Sequence, residues 1–164
     1  MANAERTATT VWEGDLAHGN GVLSLKSGAA PNLPVTWASR TERSDGKTSP
    51  EELIAAAHAS CFSMALSHGL AQAGTPPEKL DVDATVTFVP GTGITNVALA
   101  VRATVPGLDE KAFLEAAEDA KRKMEAQAAA RGQKVDAAAL ERAQEEARRK
   151  AQAEQEKKAQ DEKK

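Results

Sequence analysis

The stretch from Ser49 to Gly74 limits the fold of this chain more than any other feature. Ser49 is a preferred N-cap residue, Pro50 suits the first helical position, and Glu52 lies where a capping box places its carboxylate. Apolar and small residues then occupy every helical face until Gly74, and two prolines follow. The sequence therefore predicts a helix over 49–74 that is buried on all sides, and its Ala-rich composition with interspersed Ser and His argues against a membrane span.

Short segments with alternating apolar residues on both sides of this helix predict β-structure. Strands are predicted at residues 10–12, 22–25 and 35–40 before the helix, and at 82–88 and 94–105 after it. Glycine-containing turns separate these segments. A second helix is predicted to begin near Asp109.

The composition changes from about residue 122 onward. Ala, Glu, Lys, Arg and Gln dominate there, and all are strong helix formers. Beyond Met124 the only large aliphatic residues are Val135 and Leu140, too few for a coiled-coil seam. We therefore predict a folded domain over 1–123 and a charged, helical or disordered tail over 124–164. An interaction or oligomerisation role for the tail is the alternative.

The single cysteine and the charge distribution exclude several classes of protein. One cysteine excludes an intramolecular disulfide and the usual Cys-rich zinc sites. The first ten residues are polar and lack the apolar run of a secretory signal. The net charge is -3 and aromatic residues make up only 3%, which does not suit nucleic-acid binding. These features predict a cytoplasmic protein that binds neither nucleic acid nor membranes.

Cys61 lies in the middle of the predicted central helix and admits two interpretations. Free cysteine is among the most often buried residue types, which favours an inert core thiol. A reactive thiol needs a nearby cation and some access, and the residues alone name no such cation. His58 lies three residues before Cys61, where it could assist thiolate formation or pack as a core histidine.

The segment 49–67 resembles the central-helix signature of the OsmC and organic-hydroperoxide-resistance (Ohr) family of thiol peroxidases. The segments 12–16, 19–21, 27–28 and 101–109 also resemble this family, so that the resemblance covers roughly residues 8–123. It implies an α+β fold with an antiparallel sheet around a long buried central helix, in an intertwined homodimer with active sites at the subunit interface. It also implies reduction of organic hydroperoxides, and less well of hydrogen peroxide, by a Cys pair without a metal or prosthetic group.

The resemblance assigns roles to three residues of this chain. Cys61 matches the peroxide-attacking cysteine, Glu51 the glutamate that follows the helix proline, and Arg40 the arginine before the loop. Arg43 is a second candidate for the arginine, because the loop is one residue longer than is usual in the family. The guanidinium would stabilise the thiolate and orient the peroxide. The carboxylate would hold the guanidinium through two parallel hydrogen bonds, in a bidentate grip. Ten helical residues span about 15 Å, so Glu51 and Cys61 meet only through a bend or a second subunit.

The resemblance also predicts a departure in the catalytic cycle. The family's resolving cysteine aligns with Met124, whose thioether cannot form a disulfide with a sulfenic acid. The family's last strand has no counterpart in the sequence that follows. We therefore expect an external thiol or lipoyl-type reductant to complete any turnover. The alternatives are a catalytically impaired dimeric scaffold or remnant with a helical tail, and a lipid or fatty-acyl binder.

Overall fold

The computed structural model describes residues 4–30, 32–127 and 129. The elements, in chain order, are β1 (Ala8–Glu13), β2 (Asn20–Leu25), β3 (Leu33–Val35), α1 (Trp37–Thr41), α2 (Pro50–Gln72), β4 (Lys79–Val89), β5 (Gly93–Thr104) and α3 (110–127). The chain separates into two compact units, one ending at Phe113 and one beginning at Leu114. The α+β class is therefore confirmed, with all five strands in the first unit.

The first three strands form one antiparallel sheet in the order β1-β2-β3. Gly21 of β2 is buried opposite Trp12 of β1 and Val35 of β3. A Cβ at this position would lie 2.8 Å from Cε3 of Trp12 and 2.9 Å from Cγ1 of Val35. The absence of a side chain at Gly21 is what lets the Trp12 indole lie against the sheet.

The strands β4 and β5 form a separate antiparallel hairpin closed by the turn at 90–92. The inward residues of β4 are half-buried at every second position, and α2 packs on this strand. Phe62, Leu66 and Leu70 of α2 recur at a spacing of four residues and are almost fully buried. The helix therefore buries one apolar stripe, which forms the centre of the first unit.

The predicted ends of the central helix are confirmed. The Ser49 hydroxyl accepts a hydrogen bond from the Glu52 N–H at 3.1 Å, which caps the N-terminus. At the other end Gly74 adopts a positive φ of 82°. The N–H groups of Gly74 and Thr75 then donate to the carbonyls of Ala71 and Leu70, as in a Schellman motif.

The prediction that α2 is buried on all sides is wrong for the single chain. Apart from the apolar stripe, the only buried residue of α2 is Glu51. An opposite surface, which we call the open face of α2, is exposed and consists of Ala57, Ser60, Cys61, Met64 and His68. By length and composition alone α2 could also cross a membrane, a property that it shares with core helices of soluble proteins.

The predicted strand at 35–40 is also wrong, because the chain turns into α1 after Val35. The Thr36 hydroxyl accepts from the Ser39 N–H, and the Ser39 hydroxyl accepts from the Thr36 N–H. This reciprocal capping box starts a helix where the alternation of apolar and polar residues suggested a strand.

Two further expectations concern the sheet and the tail. One sheet around the helix was predicted, whereas the described residues form two, the sheet β1-β2-β3 and the hairpin β4-β5. The helix α3 begins just after Asp109, as predicted, and continues through Met124 to residue 127. The rest of the predicted tail lies outside the described residues, apart from 129, and the boundary at 123/124 stays a prediction.

Candidate active site

The loop before α2 is fastened to the first sheet by backbone bonds. The Thr48 N–H donates to the Pro34 carbonyl at 2.9 Å, and Thr48 forms an isolated bridge with Val35. Thr48 is buried, and its hydroxyl donates to Oε2 of Glu52 at 2.7 Å. The Ser39 hydroxyl lies 2.9 Å from the Thr48 carbonyl. These bonds hold α1 beside the first turn of α2.

Arg40 and Glu51 form an ion pair between α1 and α2, a contact that the family resemblance implied. Nε of Arg40 lies 2.9 Å and Nη2 2.8 Å from the same carboxylate oxygen, Oε1 of Glu51. The contact therefore differs from the expected bidentate grip on two oxygens. Glu51 is only 7% exposed, whereas the Arg40 side chain keeps 29% exposure. The pair is thus desolvated mainly on the carboxylate side.

The second carboxylate oxygen of Glu51 is left without a partner. Oε2 is buried and accepts no hydrogen bond from any residue in the part of the chain that the structure describes. A buried carboxylate oxygen without a donor is costly, so such an atom calls for a further donor. The ion pair thus has room for one more hydrogen-bonding group.

The Arg40 guanidinium also lies against two aromatic rings. Its Cζ is 3.9 Å from the ring centroid of Phe88 and 5.7 Å from that of Trp37. The two rings meet edge to face, with centroids 6.2 Å apart and planes at 86°. A cation over the face of an aromatic ring is attracted by the ring quadrupole. The guanidinium therefore contacts a carboxylate and lies over the face of an aromatic ring.

A cavity of about 340 Å³ opens beside this pair. Its lining joins the start of α2 to the middle of β4, and consists of Arg40, Ser49, Glu51, Glu52, Ala55, Ala84, Thr85, Val86 and Phe88. One side is polar and charged, and the other is apolar. Such a space suits a small molecule with a polar reactive end and an apolar body.

Cys61 lies elsewhere in the single chain. It is exposed on the open face of α2, is not among the residues that line the cavity, and is separated from Glu51 by about 15 Å of helix. Arg43, the second arginine candidate, is exposed in the loop after α1. His58 is half-buried. The structure therefore brings together Arg40 and Glu51 but not Cys61.

The sequence did not point to every residue of this site. Phe88 was predicted only as part of a strand, and no local pattern links it to Arg40 far away along the chain. Ser39 and Thr48 were likewise missed. The spacing of Thr36 and Ser39 is a detectable capping signal, and it would have placed Arg40 on a helix.

Comparisons with known proteins identify the family of this chain. The profile of the OsmC-like protein family matches residues 43–124. Peroxiredoxin OsmC of Escherichia coli (strain K12) is 45% identical over 105 residues, which are 62% of this chain and 73% of that protein.

The solved structures that resemble this chain have the same fold. One is a Vibrio cholerae protein assigned to organic hydroperoxide resistance, with a TM-score of 0.57 at 25% identity over 80% of this chain and 88% of that chain. Another is an organic hydroperoxide resistance protein from Elizabethkingia anophelis, with a TM-score of 0.55 at 22% identity over 80% and 92% of the two chains. With the profile match and the E. coli relative, this means that the chain belongs to the OsmC-like protein family.

Proposed function

We propose that this protein is a thiol-dependent peroxidase that reduces organic hydroperoxides, and hydrogen peroxide less well, with Cys61 as the nucleophile. The observation that carries the proposal is the Arg40–Glu51 ion pair beside a half-apolar cavity. A guanidinium fixed by a buried carboxylate can present its remaining N–H donors to a thiolate and to peroxide oxygens. The similarity to Peroxiredoxin OsmC supports the same activity.

A second copy of the chain would complete the site. Within one helix Cys61 and Glu51 are too far apart to cooperate, and Cys61 lies on an exposed face with Met64, which is 65% exposed. A homodimer that packs the open face of α2 against the partner would bury this surface. It would also carry Cys61 of one copy toward the Arg40–Glu51 pair of the other.

The chemistry then follows from the residue types. The thiolate of Cys61 attacks the terminal oxygen of the hydroperoxide, an S–O bond forms and the O–O bond breaks. The sulfur is oxidised to a sulfenic acid, and the departing alkoxide takes a proton to leave as an alcohol. The Arg40 guanidinium would stabilise negative charge on the attacking sulfur and on the leaving oxygen. The apolar lining would accept the organic group.

Because the 164 residues contain one cysteine, a thiol from outside the chain must react directly with the sulfenic acid. A first external thiol condenses with the sulfenic acid, which releases water and forms a mixed disulfide. A second thiol then frees Cys61 as the external pair becomes a disulfide. A lipoyl-type dithiol can supply both thiols from one molecule.

Mass spectrometry of Cys61 tests the proposal. The full chain is treated with one equivalent of cumene hydroperoxide and trapped with dimedone, with Cys61→Ser as the matched control. We expect a sulfenic adduct on Cys61 and formation of the corresponding alcohol. A thiol that stays unmodified after prolonged exposure would show that the domain is a scaffold or an acyl-chain binder instead.

A further inference from the structure

We propose that Phe88 is a positioning residue for the active-site arginine, and that the face of its ring fixes the plane of the Arg40 guanidinium. This inference rests on the proposed peroxidase function for its catalytic meaning. The contact itself is a property of the fold, since Phe88 lies on β4 and Arg40 on α1. Phe88 would not touch the reacting atoms and would act only through Arg40.

The ion pair alone does not fix the orientation of the Arg40 guanidinium plane. Both nitrogens of Arg40 that contact Glu51 do so through one oxygen, Oε1. A parallel contact to two carboxylate oxygens fixes the plane of the guanidinium, whereas two donors that converge on one oxygen still allow rotation about it. A second constraint is therefore needed if the other N–H donors are to point in one direction.

The Phe88 ring supplies that constraint. Cζ of Arg40 lies 3.9 Å from the centroid of Phe88, a distance typical of a guanidinium in contact with a ring face. Trp37 and Phe88 pack in a T-shaped contact with their ring planes at 86°, and this contact limits the movement of the Phe88 ring. Cζ of Arg40 lies over the Phe88 ring, while 29% of the Arg40 side chain stays exposed.

The place of Phe88 in its strand agrees with such a role. The register of β4 against β5 shifts between Thr87 and Phe88. The extra residue, Thr95, lies on β5, so Phe88 keeps the alternation of β4 and faces the same side as Ala84 and Val86. Phe88 also lines the cavity together with both members of the ion pair. The ring therefore lies where a change in its shape or charge distribution acts directly on Arg40.

A double-mutant cycle on hydroperoxide reduction tests this role. Phe88→Leu removes the ring but keeps an apolar side chain, and it should lower kcat/KM for cumene hydroperoxide by about tenfold. In an Arg40→Ala background the same change should have an effect of less than about twofold, because Phe88 acts through Arg40. Equal losses in both backgrounds would mean that Phe88 supports the fold in general, and would overturn the proposal.

A near-isosteric ring separates charge distribution from packing. Phe88→pentafluorophenylalanine keeps the shape of the ring but reverses the sign of its quadrupole. It should lower kcat/KM as Phe88→Leu does. A pentafluoro variant as active as the parent would show that the ring serves as packing only. Phe113→Leu, which removes a phenylalanine ring outside the cavity, is the matched control and should leave kcat/KM unchanged.

NMR of the arginine Nε–H group tests the contact without any activity. The ring current of Phe88 should displace the Arg40 resonances, and Phe88→Leu should remove the displacement while Phe113→Leu preserves it. Unchanged Arg40 resonances in Phe88→Leu would overturn the proposal. A parent chain that reduces no hydroperoxide would contradict the proposed function, while the NMR comparison would still decide whether Phe88 positions Arg40.

Discussion

The Arg40–Glu51 pair is unevenly buried, and this determines which partner is more sensitive to substitution. The Glu51 carboxylate has lost almost all of its water, and only one of its oxygens is paired within the described residues. Arg40 retains some exposure and rests on an aromatic ring. A charge with so little water depends strongly on its partner and on any donor that reaches Oε2. A second copy or a bound peroxide would be such a donor.

Replacement of Glu51 by glutamine removes the charge of this side chain and keeps its shape. The amide oxygen can still accept a hydrogen bond but no longer attracts the guanidinium as a charge. We expect Glu51→Gln to lower kcat/KM for organic hydroperoxides about 10- to 100-fold, the range that follows from losing one charged hydrogen bond. Steady-state assays measure this, with Glu78→Gln, at an exposed glutamate outside the cavity, as the matched control. A similar loss in both variants would contradict a special role for Glu51.

Asp15 makes a pH-dependent contribution to the turn between β1 and β2. Its carboxylate accepts the backbone N–H of His18 at 2.8 Å, and this bond, followed by the His18 side chain, lowers the pKa of Asp15 from its ordinary value. The pKa of Asp15 is lower in the folded state than in the unfolded chain. Its contribution to the free energy of unfolding is therefore present at pH values above the ordinary aspartate range. It should be lost as the pH falls through the folded-state value.

A carboxyl-carbon NMR titration of Asp15 checks this expectation. The midpoint should lie below that of an unstructured peptide with the same local sequence. The free energy of unfolding of Asp15→Asn should lack the pH dependence that the titration of Asp15 gives the parent chain. A midpoint in the ordinary range would show that the bond to His18 does not favour the ionised form.

At the scale of elements, the short helix α1 depends on its neighbours. A helix of five residues is not stable alone, because the free-energy cost of helix nucleation exceeds the stabilisation from its few hydrogen bonds. The Ser39 hydroxyl accepts from the Thr36 N–H at 3.0 Å, and its proton can go to the carbonyl of Thr36 or of Thr48, both at 2.9 Å. Ser39 therefore links α1 to the loop that leads into α2.

Removal of this hydroxyl should weaken both the fold and the site. We expect Ser39→Ala to lower the free energy of unfolding by about 1–2 kcal/mol, since it removes a cap and leaves polar groups unsatisfied. Hydroperoxide reduction should fall as well, because Arg40 is the next residue of α1. Urea unfolding measures the first effect. Ser44→Ala, in the exposed loop that follows, is the control, and an equal loss of stability there would contradict the linking role of Ser39.

The sequence predicted those elements whose signals are local. Ser49, Pro50 and Gly74 mark the ends of α2 by capping chemistry, and the structure confirms them. Alternation predicted the strands β4 and β5 in the same way. The helix α1 was missed because the alternation of apolar and polar residues outweighed the capping signal of Thr36. The contact of Phe88 with Arg40 joins distant parts of the chain, and no pattern within one segment can reveal such a pairing.

At the scale of the whole molecule, part of the apolar surface of the single chain is exposed. The open face of α2 carries Cys61 and Met64, although α2 is apolar enough to be a core helix. Val11 and Val22 are paired across β1 and β2 and are both exposed. Adjacent exposed apolar groups of this kind are typical of surfaces that bury against another protein. A second copy of the chain is the occupant that would also supply Cys61 with an Arg40–Glu51 pair.

A charge on the open face of α2 tests this assembly. Met64 lies one helical turn from Cys61 and is 65% exposed in the single chain, so Met64→Lys costs the isolated chain little. At a subunit interface the buried ammonium would cost several kcal/mol, enough to dissociate a dimer at micromolar concentration. We expect sedimentation to show a dimeric parent and a monomeric Met64→Lys. Hydroperoxide reduction should be lost in parallel, and should return partly as the protein concentration is raised.

Two control variants define what the result means. Met64→Leu keeps the apolar character and should remain dimeric and active, while Thr87→Lys places the same charge on the exposed side of β4 and should change neither property. A monomeric parent that consumes hydroperoxide at full rate would contradict a site shared between two copies, because Cys61 would then react without a partner's Arg40. A dimeric Met64→Lys variant would instead place the interface on another surface. Activity that follows the dimer fraction across all three variants is the result that a shared site requires, since Cys61 and Glu51 of one α2 are about 15 Å apart.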